Sequence, residues 1–284
     1  MKSGLKKSFL AMAALAMAMT ACNSNSSDNT EESGTDGAVK SFPVSMSIKS
    51  TQQCYSISDS LNECDVYLTL STSVQWPEKL GDYDLTALQD TIVSRLYNKK
   101  LAGKGIDEMM TAYVGDAASY DLGSKITRID SVPSESAFNN EYYSQSDMSI
   151  TEVNEDMVTV NVSFEMYMGG AHPNWGSFPF TYDLKAGKVI TPAYLFKPGS
   201  DSILASLLKE TVAEQFNISV AQLESSMFTP EMPVSNCVFI RGGDIVFHYN
   251  PYDFLPYSYG AVDAAISVYS VQDILSPAAQ KLLD

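Results

Sequence analysis

From Phe42 onward apolar and polar residues alternate in FPVSMSIKS (42–50), and again in CDVYLTLSTSV (64–74), where Val66, Leu68 and Leu70 share one face. A period of two marks strands with one buried face, and the two segments read as an antiparallel pair. The period changes at Tyr83. In YDLTALQDTIVSRLYNKKL (83–101), Leu85, Leu88, Ile92 and Leu96 fall on one stripe of a helix. Asp84 lies near its start and Lys99 and Lys100 near its end, the charge order that the helix dipole favours. Gly103 and Gly105 break this helix, and a second one is predicted over Ile106–Tyr113. SVPSESAFNN (131–140) reads as a loop. Two strands follow, SDMSITEVN (146–154) and DMVTVNVSFEMYM (156–168), joined by a tight turn at Asn154–Asp156. Val158, Val160, Val162, Phe164 and Met166 commit one face of the second strand to a core, which makes it a central strand.

The second half repeats this alternation of periods. SFPFTYDL, the turn KAGK and VITPAYLF predict a hairpin; Gly187 supplies the turn, and Pro192 keeps the return strand short or at an edge. Asp201–Phe216 is an amphipathic helix through Ile203, Leu207, Leu208 and Val212, and VAQLESSMF is a shorter one. The chain closes with CVFI, the turn RGGD, IVFHYNPYDFLPYSYG, AVDAAISVYS and a helical stretch in DILSPAAQKLL. Strand pairs accompanied by long helices indicate an α+β class, with antiparallel sheets and packed helices in two halves. The boundary is placed at residue 150, giving an N-terminal α+β domain over 41–150 and a C-terminal α+β domain over 151–284. One sheet shared by both halves is the alternative.

Ahead of the folded body, MKSGLKKSFLAMAALAMAMTAC has lysines followed by an uncharged Ala-, Met- and Leu-rich run, the layout of a secretory signal over residues 1–21. The run is shorter than the roughly 20 apolar residues that a membrane-spanning helix needs. It ends in Met19-Thr20-Ala21-Cys22, similar to the cleavage box of bacterial lipoproteins, and this places a lipid on Cys22. Residues 22–40 are polar and acidic, and read as a flexible tether. The expected location is therefore the cell envelope, lipid-anchored outside the cytoplasm, with the outer membrane favoured and the membrane face left open.

Charge narrows the partners. With 34 acidic and 18 basic residues, the formal charge of −16 opposes binding to nucleic acid and to anionic lipid headgroups, and suits a cationic protein. Cys54 and Cys64 flank a polar loop between two strands, and a disulfide between them is expected in an exported protein. Cys237 reads as a small buried hydrophobe. No cysteine spacing makes a zinc site, and neither a metal nor a cofactor is expected.

Candidate chemistry gathers in YMGGAHPNWGSF (167–178) and NPYDFLPYSYG (250–260). Gly169, Gly170 and Pro173 shape the first loop: a Gly pair permits positive φ, and no Walker pattern or following Lys makes it a phosphate loop. His172 is of the residue type that accepts a proton or ligates a metal, but a lone His needs a nucleophile or an orienting carboxylate, for which only Asp183, His248 and Asp253 are candidates at a distance. Its simpler role is to tie the loop to carbonyls or a tyrosine. Trp175, Tyr252, Tyr257 and Tyr259 are rigid amphipathic rings suited to a protein hot spot or to sugar stacking, and equally to anchoring an irregular segment. His248 falls on the less hydrophobic face of IVFHYN. No catalytic residue is assigned.

MYMGGAHPNW, FTYDLKAGK, the "LF" before a helix and DIVFHYNPYDFLPYSYG, in that order over residues 150–275, resemble the C-terminal domain of the RsiV anti-sigma factor family, a domain also found in PdaC-type polysaccharide deacetylases. The resemblance implies an exported α+β domain whose relatives bind lysozyme. The acidic tether is similar to export tags of Bacteroides-group lipoproteins. The sigma-binding segment and the deacetylase domain of those relatives have no counterpart here, so neither activity carries over. The expectation is a non-catalytic, lipid-anchored protein that recognises a lysozyme-like protein or a peptidoglycan-like glycan. The alternatives are a cell-wall glycan or ester hydrolase using His172, and a structural component of an envelope complex.

Overall fold

The N-terminal strands run further than their alternation announces. The structure, a computed structural model, describes residues 42–58, 65–97, 104–120, 122, 125–136 and 140–283; the signal segment, Cys22 and the tether lie outside them. β1 (Val44–Ser58) and β2 (Asp65–Leu80) form a long antiparallel hairpin, in register from Val44 opposite Leu80 to Ser58 opposite Asp65. Two helices follow, α1 (Thr86–Leu96) and α2 (Ile106–Gly115). α1 buries Leu88, Ile92, Val93 and Leu96, the stripe that its spacing indicates. β3 (Lys125–Ile129) then pairs along the outer side of β1.

Because two helices separate them, β4 (Glu141–Val153) returns parallel to β2, the one parallel pairing in a sheet expected to be antiparallel. β4 turns directly into β5 (Met157–Tyr167), with Asn154 Oδ1 accepting from the N–H groups of Asp156 and Met157 in the turn. The far side of β5 is shared. β6 (Asn174–Ser177) pairs with its C-terminal half, and β7 (Phe180–Asp183) with its N-terminal half; β8 (Lys188–Val189) adds to β7. The order β3-β1-β2-β4-β5-β7-β8, with β6 also on β5, makes one eight-stranded sheet. It passes straight through residue 150, and Ser41–Asp284 is one compact unit, so the shared-sheet arrangement is the one found.

The segment after β8 builds a second layer. It holds a one-turn helix α3 (Pro192–Leu195), then α4 (Asp201–Gln215) and α5 (Val220–Ser226). A three-stranded antiparallel sheet follows, of β9 (Val238–Arg241), β10 (Asp244–Tyr249) and β11 (Val262–Ser267), and α6 (Pro277–Leu283) ends the chain. Leu204, Leu208 and Val212 of α4 pack with Ile245, Phe247 and Ile266 in one core; Val158, Val160, Val162 and Phe180 pack with Leu88 and Ile92 in another. Ile203 departs from the predicted stripe and is half exposed, because the buried arc of α4 runs through Leu204, Leu208, Val212 and Ala213. The two layers are stitched at β9. Thr159 Oγ1 donates to the Ile240 carbonyl at 3.0 Å, and the Ile240 N–H donates to Thr181 Oγ1 at 2.8 Å.

The expected Cys54–Cys64 disulfide is corrected at its first end. Cys54 is a free, buried thiol opposite Thr69, with Sγ 3.6 Å from Thr69 Oγ1. The reason is register: the hairpin continues four residues past Cys54 before Ser58 meets Asp65, so the polar loop does not begin at the cysteine. Cys64 lies outside the described residues.

Candidate functional site

The GGAHP loop links β5 to β6 by reversing the chain within a few residues. Gly169 has φ of +84° and Gly170 of +108°, a region that side chains rarely enter, and a Cβ on Gly169 would lie 3.0 Å from the Tyr142 hydroxyl. This reversal delivers His172, Pro173 and Trp175 to the segment that follows β10. His172 lies flat on the Tyr257 ring, with centroids 4.2 Å apart, and its Nδ1 sits 2.8 Å from the Pro173 carbonyl. Trp175 Nε1 donates to the Tyr257 hydroxyl at 3.0 Å, and that hydroxyl donates to the Pro173 carbonyl at 3.2 Å. Tyr257 therefore holds both ends of the loop, with its ring face against His172 and its hydroxyl between Trp175 and Pro173.

Tyr252 extends this cluster. Its ring lies 5.5 Å from that of Tyr257, and the residue is 58% exposed on a backbone with φ of +72°. The turn that imposes this conformation is closed by Asn250 N–H on Asp253 Oδ2 at 2.7 Å and Asp253 N–H on the Asn250 carbonyl at 3.1 Å. His172, Trp175, Tyr252 and Tyr257 thus form one aromatic shelf. Tyr259 does not join it. Its ring meets Phe216 edge-on at 5.1 Å and its hydroxyl reaches Ser226, which places it as an anchor between the closing segment and the α4–α5 pair.

His248 is the histidine that gains chemical partners. It is 5% exposed, not on an open face, because β10 turns it toward β6. Its Nε2 lies 3.0 Å from Ser177 Oγ and its Nδ1 2.7 Å from Asp263 Oδ1, the order of nucleophile, base and orienting carboxylate. Asp263 also takes Arg241 at 2.6 Å. Burial alone would raise the Asp263 pKa, but the hydrogen bonds from His248 and Arg241 outweigh it and hold the carboxyl below its ordinary value. The amides beside Ser177 are committed: Ser177 N–H donates to Asn250 Oδ1 at 2.7 Å and Phe178 N–H to the Val162 carbonyl at 2.7 Å. Asn250 Nδ2 also donates to the Ser177 carbonyl at 2.9 Å. The group accordingly fastens β6 to β10, and in this arrangement neither amide is free to hold an oxyanion.

The sequence pointed to His172 and to the loop itself. It missed Ser177, Asn250, Asp263 and Arg241: Ser177 lies 71 positions from His248 and meets it only after the second sheet docks, and Asp263 reaches His248 only through the pairing of β10 with β11. Asp183 and Asp253 are occupied elsewhere: Asp183 accepts from the Tyr194 hydroxyl and the Ala186 N–H, and Asp253 from the Asn250 N–H. Burial raises the Cys237 thiol to about 12, and it donates to the Pro179 carbonyl at 3.3 Å, which is the behaviour of a packed residue and not of a nucleophile. Among the described residues no group of three or more His, Cys, Asp or Glu could hold a metal ion, and no helix is long and apolar enough to cross a membrane.

Residues 193–269 match a family described as a protein of unknown function, DUF3298. The fold is similar to the crystal structure of a DUF3298 family member from Bacteroides fragilis, with 16% identity over 85% of this chain and 99% of that one and a TM-score of 0.63. It is also similar to that of a DUF3298 family protein from Pseudomonas aeruginosa, with 15% identity over 84% of this chain and 97% of that one and a TM-score of 0.52. No curated protein matches the chain.

Proposed function

We propose that this chain is a non-catalytic, lipid-anchored recognition protein of the bacterial envelope, and that the shelf of His172, Trp175, Tyr252 and Tyr257 is where it meets a basic protein or a cell-wall glycan. The observation that carries this reading is Tyr252. A bulky residue held at positive φ while more than half exposed is strained with little return of burial, and such strain is concentrated at sites of function. The charge of −16 favours a basic partner, and the lipoprotein-like Met19–Cys22 supports the anchor. Lysozyme is the first probe, titrated calorimetrically at low salt against the tether-and-body protein. Saturable binding that Tyr252→Ala weakens at least tenfold is expected; no heat with lysozyme or with peptidoglycan fragments overturns the reading. Labelled fatty acid entering the wild type but not Cys22→Ala tests the anchor.

One observation favours a second reading, an ester hydrolase. It is the Ser177–His248–Asp263 chain, and not His172, which meets a carbonyl and a ring. Labelling by a fluorophosphonate probe that Ser177→Ala abolishes would establish it, and unlabelled wild-type protein would remove it.

A further inference from the structure

The eight-stranded sheet has one face covered by α1 and α2 and another covered only in part. β9 lies over Thr159 and Thr181, where it accepts and donates the two stitching hydrogen bonds. Further along β4 and β5 the same face stays half exposed, and there the rows Gln145–Glu165–Trp175 and Asp147–Ser163–Ser177 run across three strands. Gln145, Asp147, Ser163, Phe164, Glu165 and Trp175 line a depression of about 180 Å³. Trp175 belongs to both places: its Nε1 is tied to Tyr257 in the shelf, and the residue lines the depression.

The two carboxylates in the depression accept from neutral donors only. Asp147 takes the Ser73 N–H on Oδ1 at 2.9 Å and the Gln145 amide on Oδ2; Glu165 takes the Tyr143 hydroxyl at 2.6 Å. Among the described residues neither carboxylate forms an ion pair, whereas Asp107, Glu108, Asp156, Glu224 and Asp263 all do. Asp147 is partly enclosed, and burial raises its pKa above the ordinary carboxylate value. A cation entering the depression would meet residues that bring two carboxylates and an indole to one place, a combination that offers Coulomb and cation–π attraction. Its size suits one side chain, and not a folded element.

We propose that this depression receives a lysine or arginine side chain from a basic protein whose body rests on the aromatic shelf. The proposal rests on the recognition reading above and specifies its partner: a protein that presents a cationic side chain at the contact, and not a neutral glycan. Glu165 is the outer, exposed acceptor and Asp147 the inner one. An arginine would bond Glu165 Oε2, the one carboxylate oxygen of the pair that accepts from neither Ser73, Gln145 nor Tyr143, while the Asp147 charge attracts it from the inner side.

The experiment uses the full chain carrying Trp76→Phe, so that Trp175 is the single tryptophan. An acetylated tri-arginine amide is titrated at low salt while Trp175 fluorescence is followed, beside its tri-citrulline counterpart and a neutral chitooligosaccharide. Saturable quenching by the arginine peptide is expected, with at least tenfold weaker binding for citrulline. Glu165→Gln is expected to weaken the arginine peptide about tenfold at an unchanged melting temperature, since Glu165 is exposed, and Asp147→Asn to weaken it further. Equal affinity of wild type and Glu165→Gln, or equal affinity for arginine and citrulline, overturns the proposal. Binding of the oligosaccharide without the arginine peptide also overturns it and leaves the shelf as a recognition site. No response to either, together with no binding of lysozyme or peptidoglycan, removes both.

Discussion

Two neighbouring residues make opposite demands. Tyr252 sits at φ of +72° and is more than half exposed, so replacing it by Asn, which enters the left-handed region more readily, relieves strain at little loss of burial. Tyr252→Asn is expected to leave the urea midpoint unchanged or raise it by up to about 1 kcal/mol of stability, while lysozyme binding falls; a drop in stability would refute the strain argument. Asn250 is the reverse case. Its side chain satisfies both Ser177 N–H and Ser177 carbonyl, and truncation strands a strand-edge amide that is cut off from another strand. Asn250→Ala is expected to cost about 1–3 kcal/mol in urea unfolding. Asp263 adds a pH signature. Its folded pKa lies below that of the unfolded chain, so its contribution is present above the unfolded value and is lost as pH falls through the folded one. Asp263→Asn should therefore flatten the acid limb of the stability curve measured below about pH 4; an unchanged limb would assign acid unfolding to other carboxylates.

At the scale of elements, periodicity served best where one face is buried along the whole segment. Val158, Val160 and Val162 are buried as the alternation in β5 requires, and α1 buries its stripe. α4 shows where the signal blurs: Ile203 and Leu204 are both apolar, and only docking on β11 decides that Leu204 is covered and Ile203 is not. The pair supplies a contrast. Leu208→Ala is expected to cost about 2–5 kcal/mol, and Ile203→Ser to stay within about 0.5 kcal/mol, in the same chemical denaturation series. The parallel β2–β4 pairing was illegible because strand direction depends on what lies between two strands, and a helical connection does not state which neighbour its exit strand will choose. The shelf was half legible. Its loop and its aromatics stand out in the text, but Tyr257 and Tyr259 are two residues apart and look equivalent until the turn at Pro256 sends one to His172 and the other to Phe216.

For the whole molecule, the sheet that crosses residue 150 decides what can fold alone. β5 has β4 along one edge from Tyr167 to Val158 and shares the other between β6 and β7. A fragment of residues 151–284 would lose β4 and both N-terminal helices, leaving β5 as an edge with its apolar face uncovered. Val158, Val160, Val162 and Phe180 are each no more than 3% exposed, and they lie in the core that holds Leu88 and Ile92. Uncovering large apolar side chains forfeits roughly 1.5–3 kcal/mol apiece, so four of them remove an amount comparable to the 5–15 kcal/mol by which an ordinary domain is stable. The second core around α4 and β9–β11 would remain intact in contacts, yet it is stitched to β5 and β7 through Thr159, Thr181 and Ile240. The family match over residues 193–269 therefore marks a stretch of recognisable text inside a larger folding unit. Residues 41–284 are expected to unfold in a single transition with coincident fluorescence and circular dichroism midpoints, and residues 151–284 to bind a hydrophobic dye and show no cooperative melt. A sharp, reversible melt of the shorter fragment would show that the sheet is divisible at β5 and that the C-terminal half is a domain in its own right.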